Sequence, residues 1–166
     1  MPATIEIKEN IDESPAVVFC DSSSINQIMM NLIINASHSM ENDTGIIKIK
    51  FTSEILEGKD LNENKSLSPG TFLKLTIQDN GIGIDPSIIN HIFDPFFTTK
   101  EVGKGTGMGL SVVHGIIKSH GGMIKVKRSW WEIIALVLLD MGKSKVPDIF
   151  KHELLHLKRL FQIRQL

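Results

Sequence analysis

The chain has 166 residues, 42% of them hydrophobic, and a formal net charge of −1, which suits one ordinary globular core with a tail. That near-neutral balance leaves no basic footprint for nucleic acid or an acidic membrane surface, so neither is expected as a partner. The single cysteine, Cys20, excludes an internal disulfide, no basic-then-apolar leader is visible, and the longest apolar run, Ile133 to Leu139, is far shorter than the roughly 20 residues of a membrane-spanning helix. A cytoplasmic chain is expected.

In chain order, Ile5 and Ile7 alternate with polar neighbours as a half-buried strand, and Ala16 to Cys20 read as a second short one. Ile25, Ile28, Met29, Leu32, Ile33, Ala36 and Met40 then recur at three- and four-residue spacing, the clearest amphipathic helix in the chain, packing one side on a sheet. Ile47, Ile49 and Phe51 alternate as a strand, Glu57 to Gly70 read as a polar loop, and Leu73, Leu75 and Ile77 alternate again into Asp79. Asp85 followed by Pro86 predicts a short capped helix to about Ile92. Beyond a glycine-rich segment, Leu110, Val113 and Ile117 predict a helix stopped by Gly121 and Gly122, after which Ile124 and Val126 begin another strand. Mixed strands and helices predict an α+β fold with antiparallel sheet, not a regular alternation of parallel units.

Three groups of residues carry chemistry. Gln27, Asn31, Asn35 and His38 follow one another at helical spacing and line a strip beside the apolar face. Amide oxygens one turn apart suit a hard cation such as Mg²⁺, although alone the strip reads equally well as a solvated face. Asp79, Asn80, Gly81, Ile82 and Gly83 directly follow a strand. The glycines let backbone approach a flat ligand and the carboxylate can accept from an exocyclic amine, the N6 of adenine, although Asn-Gly alone is a common turn. Third, Phe93 to Lys100 precede Gly103, Gly105, Gly107 and Gly109. Such a loop can bring amide donors to phosphates, the helix beginning near Met108 points its positive end at them, and Lys100 or Lys104 adds charge. A Walker loop is excluded by the missing Gly-Lys-Ser/Thr ending, and a dinucleotide fingerprint by the absence of a preceding strand.

Taken in order, INQIMMNLIINA (25–36), DNGIGI (79–84), FDPFFTTK (93–100) and GKGTGMGLSVVHGIIKSHGG (103–122) resemble the N, G1, F and G2 boxes of sensor histidine kinases. The resemblance covers residues 1–127 and implies the catalytic domain's two-layer α/β sandwich, the Bergerat fold shared with gyrase-type ATPases, with a mixed, mostly antiparallel sheet packed on helices. It implies ATP and Mg²⁺ as cofactors, with Asn35 as the Mg²⁺-coordinating residue and Asn31 as its helper. Asp79 would read adenine, with Gly81 and Gly83 beside it, and residues 94–108 would form the ATP lid. Lys100, Lys104, Gly105, Thr106, Gly107, Met108, Gly109 and Leu110 would lie near the phosphates. Gyrase-type relatives place a glutamate where Asn31 stands, and an amide cannot take a proton from water. The resemblance therefore implies phosphotransfer to a histidine on a separate helical dimerisation domain, and onward to a response regulator, with Asn31, Asn35 and Lys100 as the catalytic set. Alternatives are a non-catalytic nucleotide-binding or interaction module and an anti-sigma-factor-type serine kinase of the same superfamily.

The family's dimerisation domain would precede the first strand and has no counterpart in this sequence. After Lys127 the family's glycine-rich hairpin and its adenine-binding threonine also have no counterpart, so residues 128–166 read as an atypical extension, with Ile133 to Leu139 available as a last strand. Phe150, Leu154, Leu157 and Phe161 form a helical apolar stripe within it. His152, Glu153 and His156 match the zinc-protease pattern but no third ligand follows, so no zinc site is expected.

Overall fold

The computed structural model describes residues 5–11, 22–40, 44–57, 67, 69–101, 105–127 and 132–138. The alternating segments become strands β1 (Ile5–Ile11), β2 (Gly45–Leu56), β3 (Gly70–Asp79), β4 (Met123–Lys127) and β5 (Glu132–Leu138). The two helical periodicities become α1 (Ser22–His38) and α2 (Gly109–Ser119). One five-stranded sheet has the order β1-β2-β3-β5-β4, with β1 parallel to β2 and every other pair antiparallel. This is the mixed, mostly antiparallel sheet expected of the fold. The parallel pair follows from α1, which carries the chain back across the sheet between its two strands.

In the β2–β3 register Ile49 opposes Ile77 and Phe51 opposes Leu75, so their side chains share one face. Ile25, Ile28, Met29, Leu32, Ile33 and Ala36 of α1, with Val113 and Ile117 of α2, close over that face in a single buried cluster. Each fully buried aliphatic side chain contributes about 1.5–3 kcal/mol, so α1 is held mainly by this face. Its other side is left to carry polar residues. A smaller cluster, Leu56, Leu67 and Phe72, sits at the far end of the sheet.

Two expectations change. Residues 85–93 are not a helix but successive turns, with Ile88 N donating to Asp85 O, His91 N to Ile88 O and Asp94 N to His91 O. Asp85 Oδ1 accepts from Ser87 N and Oγ at 2.8 Å each, which begins the turns as expected of a cap. Each of those backbone bonds closes back over three residues and not four, so the segment runs as turns, and Ile88, Ile89 and Ile92 line the cavity described below. The boundary placed at residue 127 also falls inside the sheet, because β5 lies between β3 and β4 and pairs with both. The chain past Lys127 thus returns to the sheet, and the run from Ile133 supplies a strand of it. The short strand at 16–20, Lys104, and the tail with His152, Glu153 and His156 lie outside the described residues. Among the described residues no helix is long and apolar enough to cross a membrane.

Candidate nucleotide site

A cavity of about 740 Å³ opens between α1, the end of β3 and the segment leading into α2. Three separate parts of the sequence meet there. From α1 come Asn31, Asn35 and His38; from the end of β3 and the loop after it come Asp79 and Gly83; from the segment leading into α2 and its first turn come Lys100, Gly105, Thr106, Gly107, Gly109 and Leu110. Ile88, Ile89, Ile92 and Phe97 add apolar lining. An apolar slot with a few convergent polar groups is the usual form of a small-molecule site.

At one end Asp79 is tied down through a single oxygen. Gly81 N donates to Asp79 Oδ1 at 2.9 Å, and Ser39 Oγ lies 2.7 Å from the same oxygen. The serine hydroxyl also lies 2.7 Å from Ala36 O. It has one proton, and an ionised carboxylate draws that proton more strongly than a carbonyl. Burial pushes the Asp79 carboxyl above its ordinary value, and the Ser39 and Gly81 hydrogen bonds oppose part of that rise. The loop is fixed on both flanks: Ile82 N donates to Ser39 O at 2.8 Å, and Ile46 N donates to Asn80 Oδ1 at 2.7 Å. Gly81 packs so closely on Ser39 that a side chain at position 81 would run into it.

The other end is built on the lid. Lys100 Nζ approaches His38 Nδ1 at 2.6 Å, which places the lid's lysine against the end of α1. Burial lowers the Lys100 pKa from its usual range. Gly107 has φ +65 and its Cα lies against the Phe96 backbone, while Phe96 itself has φ +66 and is 73% exposed. Left-handed backbone at a phenylalanine is uncommon, so this crossing of two lid segments stores strain. α2 begins with Met108 as its N-cap, with no side-chain cap bond, so its first amides remain available. A methyl group at Gly109 would sit 3.3 Å from Asn31 Oδ1 and 3.5 Å from Asn35 Nδ2, so this helix start faces the two asparagines. α2 ends where Gly121 N donates to Lys118 O and Gly122 N to Ile117 O, the paired bonds of a Schellman stop.

Most of the anticipated residues therefore share one cavity. Gln27, on the same strip, is exposed and outside it, more than a turn before the cavity begins. Gly81 and Met108 do not line it either: Gly81 holds Asp79 from behind, and Met108 is 43% exposed at the helix cap. Ser39 was missed in the sequence. Its only signal was its place one residue past the helix, where serine is common for local reasons. The isoleucines at 88, 89 and 92 were also missed as lining, because they were assigned to a helix.

Residues 20–144 match the family described as histidine kinase-, DNA gyrase B- and HSP90-like ATPases. The chain belongs to that family. Within it, the chain is similar to the sensor kinase CckA of Brucella abortus, 37% identical over 93% of this chain and 15% of CckA. Among solved structures it is similar to the mycobacterial sensor histidine kinase MprB, 26% identical with a TM-score of 0.60, covering 81% of each chain. The catalytic domain of the histidine kinase ThkA is likewise 27% identical with a TM-score of 0.60, covering 81% of this chain and 80% of that one. The chain thus has the ATPase-type catalytic domain of sensor histidine kinases, and it spans only a small part of the full-length CckA it matches.

Proposed function

We propose that this domain binds Mg-ATP in the cavity and presents its γ-phosphoryl group to a histidine on a helical dimerisation domain, for onward transfer to a response regulator in the cytoplasm. One observation carries the reading: a carboxylate, two amides, a lysine and a glycine-rich helix start, from three distant parts of the chain, line one cavity. Asp79 accepts from the adenine amine. Lys100, Gly105, Thr106, Gly107, Gly109 and Leu110 surround the phosphates, and α2 directs its first amides at them.

The donor set suits Mg²⁺. Asn31 and Asn35 turn neutral amides towards the phosphate end, and among the described residues no group of three or more His, Cys, Asp or Glu could hold a metal by itself. Mg²⁺ takes oxygen ligands and completes its shell with phosphate oxygens and water, so Asn35 with Asn31 beside it would be sufficient on the protein side. When bound, the ion neutralises charge on the phosphates. Transfer breaks the bond between the γ-phosphorus and the β–γ bridging oxygen, forms a phosphorus–nitrogen bond to imidazole and releases ADP. Asn31 supports transfer over hydrolysis, because an amide cannot serve as the base that activates water.

Calorimetric titration tests the reading. ATP is expected to bind with a Mg²⁺-dependent component that Asn35→Ala weakens while adenine selectivity is retained. Absence of ATP binding by the parent, with and without Mg²⁺, would refute it.

A further inference from the structure

Within this ATP-binding reading, on which the inference rests, we infer that Ser39 is a positioning residue for base selection: its hydroxyl fixes the Asp79 carboxylate so that one oxygen is held by the protein and the other is left for the nucleotide. Both hydrogen bonds that the described residues make to this carboxylate, from Ser39 Oγ at 2.7 Å and from Gly81 N at 2.9 Å, go to Oδ1. A carboxylate turns about its last torsion with broad freedom, so a single anchor would leave its plane undefined. Two donors arriving at one oxygen, one from the end of α1 and one from its own loop, set that plane. A third contact binds the same two segments together, since Ile82 N donates to Ser39 O at 2.8 Å. The clamp therefore joins helix and loop through side chain and backbone at one residue.

The chemistry of the hydroxyl sharpens the role. Ser39 Oγ stands equally far from Ala36 O and Asp79 Oδ1, and its proton goes to the charged acceptor when Asp79 is ionised. Ser39 thus supports the form of Asp79 that only accepts. A carboxylate in that form favours adenine, which presents an amine, over guanine, which presents a carbonyl at the same place. Without the hydroxyl, Asp79 keeps the Gly81 bond but can rotate, and the discrimination between the two bases relaxes.

The test is calorimetric titration of the parent, Ser39→Ala, Ser39→Thr and Asp79→Asn with ATP and with GTP. Ser39→Ala is expected to lose about fivefold to tenfold in ATP affinity, with little change for GTP, so that selectivity narrows by the same factor. Ser39→Thr, which keeps the hydroxyl, is expected to retain the parental selectivity. Equal losses for ATP and GTP in Ser39→Ala would mark a merely structural role and overturn the inference, as would parental affinity and selectivity. If the alanine variant does not melt cooperatively, the threonine variant decides: retained selectivity supports the role and lost selectivity overturns it. Asp79→Asn separates the two levels. Parental ATP binding by Asp79→Asn defeats the adenine assignment itself, whereas weak binding there with a parental Ser39→Ala defeats only the role of Ser39.

Discussion

The two ends of the cavity are built by opposite means. At the Asp79 end the loop leaves a central strand and is bonded on both sides, to Ser39 past α1 and to Ile46 at the start of β2. At the lid end, Thr98, Thr99 and Thr106 are exposed, and the Lys100–His38 contact ties the lid to α1. We therefore expect the Asp79 end to be preformed and the lid end to adapt around its occupant.

The sharpest way to break this contrast is Asp79→Asn. ATP affinity should fall by roughly tenfold or more, because a lost acceptor in a closed pocket costs about 1–3 kcal/mol and more when the partner was charged. An asparagine there can turn its NH2 group towards the amine, so preference for adenine over guanine should collapse as well. The nucleotide-free protein should meanwhile be slightly more stable at neutral pH, since a partly buried charge is removed. Calorimetry with ATP and GTP, with thermal melts of the same samples, would show both; parental affinity would mean that the rigid end does not read the base.

Lys100→Ala probes the looser end. It should weaken ATP by about fivefold, the order of one charge-assisted phosphate contact at a partly solvated site, while adenosine binds as before. Equal losses for the two ligands would show that the lid and the base site are not independent.

Gly107→Ala should weaken ATP by at least as much, because a methyl group there would run into the Phe96 backbone and a left-handed alanine adds about 1–2 kcal/mol. Hydrogen exchange in the lid should rise while β3 stays protected. Raised exchange in β3 would break the proposed division.

The smallest effect is on pH dependence. Burial raises the Asp79 pKa, so ATP affinity should begin to fall at a higher pH than an ordinary carboxylate would require, as protonation turns an acceptor into a donor. Stability moves the other way. A raised native pKa means that the folded state gains on the unfolded one as pH falls through it, so the advantage of Asp79→Asn should shrink on acidification. Titrations and melts between neutral and mildly acidic pH would check both signs.

Much of this was legible from residue order. The α1 period, the alternation of β2 and β3, and the glycines that stop α2 all express one-dimensional rules, and the fold uses them directly. Asn31, Asn35, Asp79 and Lys100 could be named because their spacing matched a known set of boxes. The turns at 85–93 were misread because the local signals of a helix start, an Asp followed by a Pro, are also those of a turn. Ser39 was invisible for a different reason: its partner is forty residues away, and a lone serine carries no spacing that announces such a bond. The position of β5 between β3 and β4 is likewise a long-range fact that no local pattern encodes.

α1 supplies both Asn31 and Asn35 and, one residue past its end, Ser39. At about 1.5 Å of rise per residue, Ser39 stands roughly 6 Å from Asn35 and roughly 12 Å from Asn31 along the axis. One rigid rod therefore works as a gauge between the group we propose to orient the base and those that face the helix start of α2. Inserting a single residue between Asn35 and Ser39 would lengthen the gauge by about 1.5 Å and turn one mark about 100° from the other, so no nucleotide could satisfy both. The lid, which carries no such calibration, should accept the same insertion with far less damage.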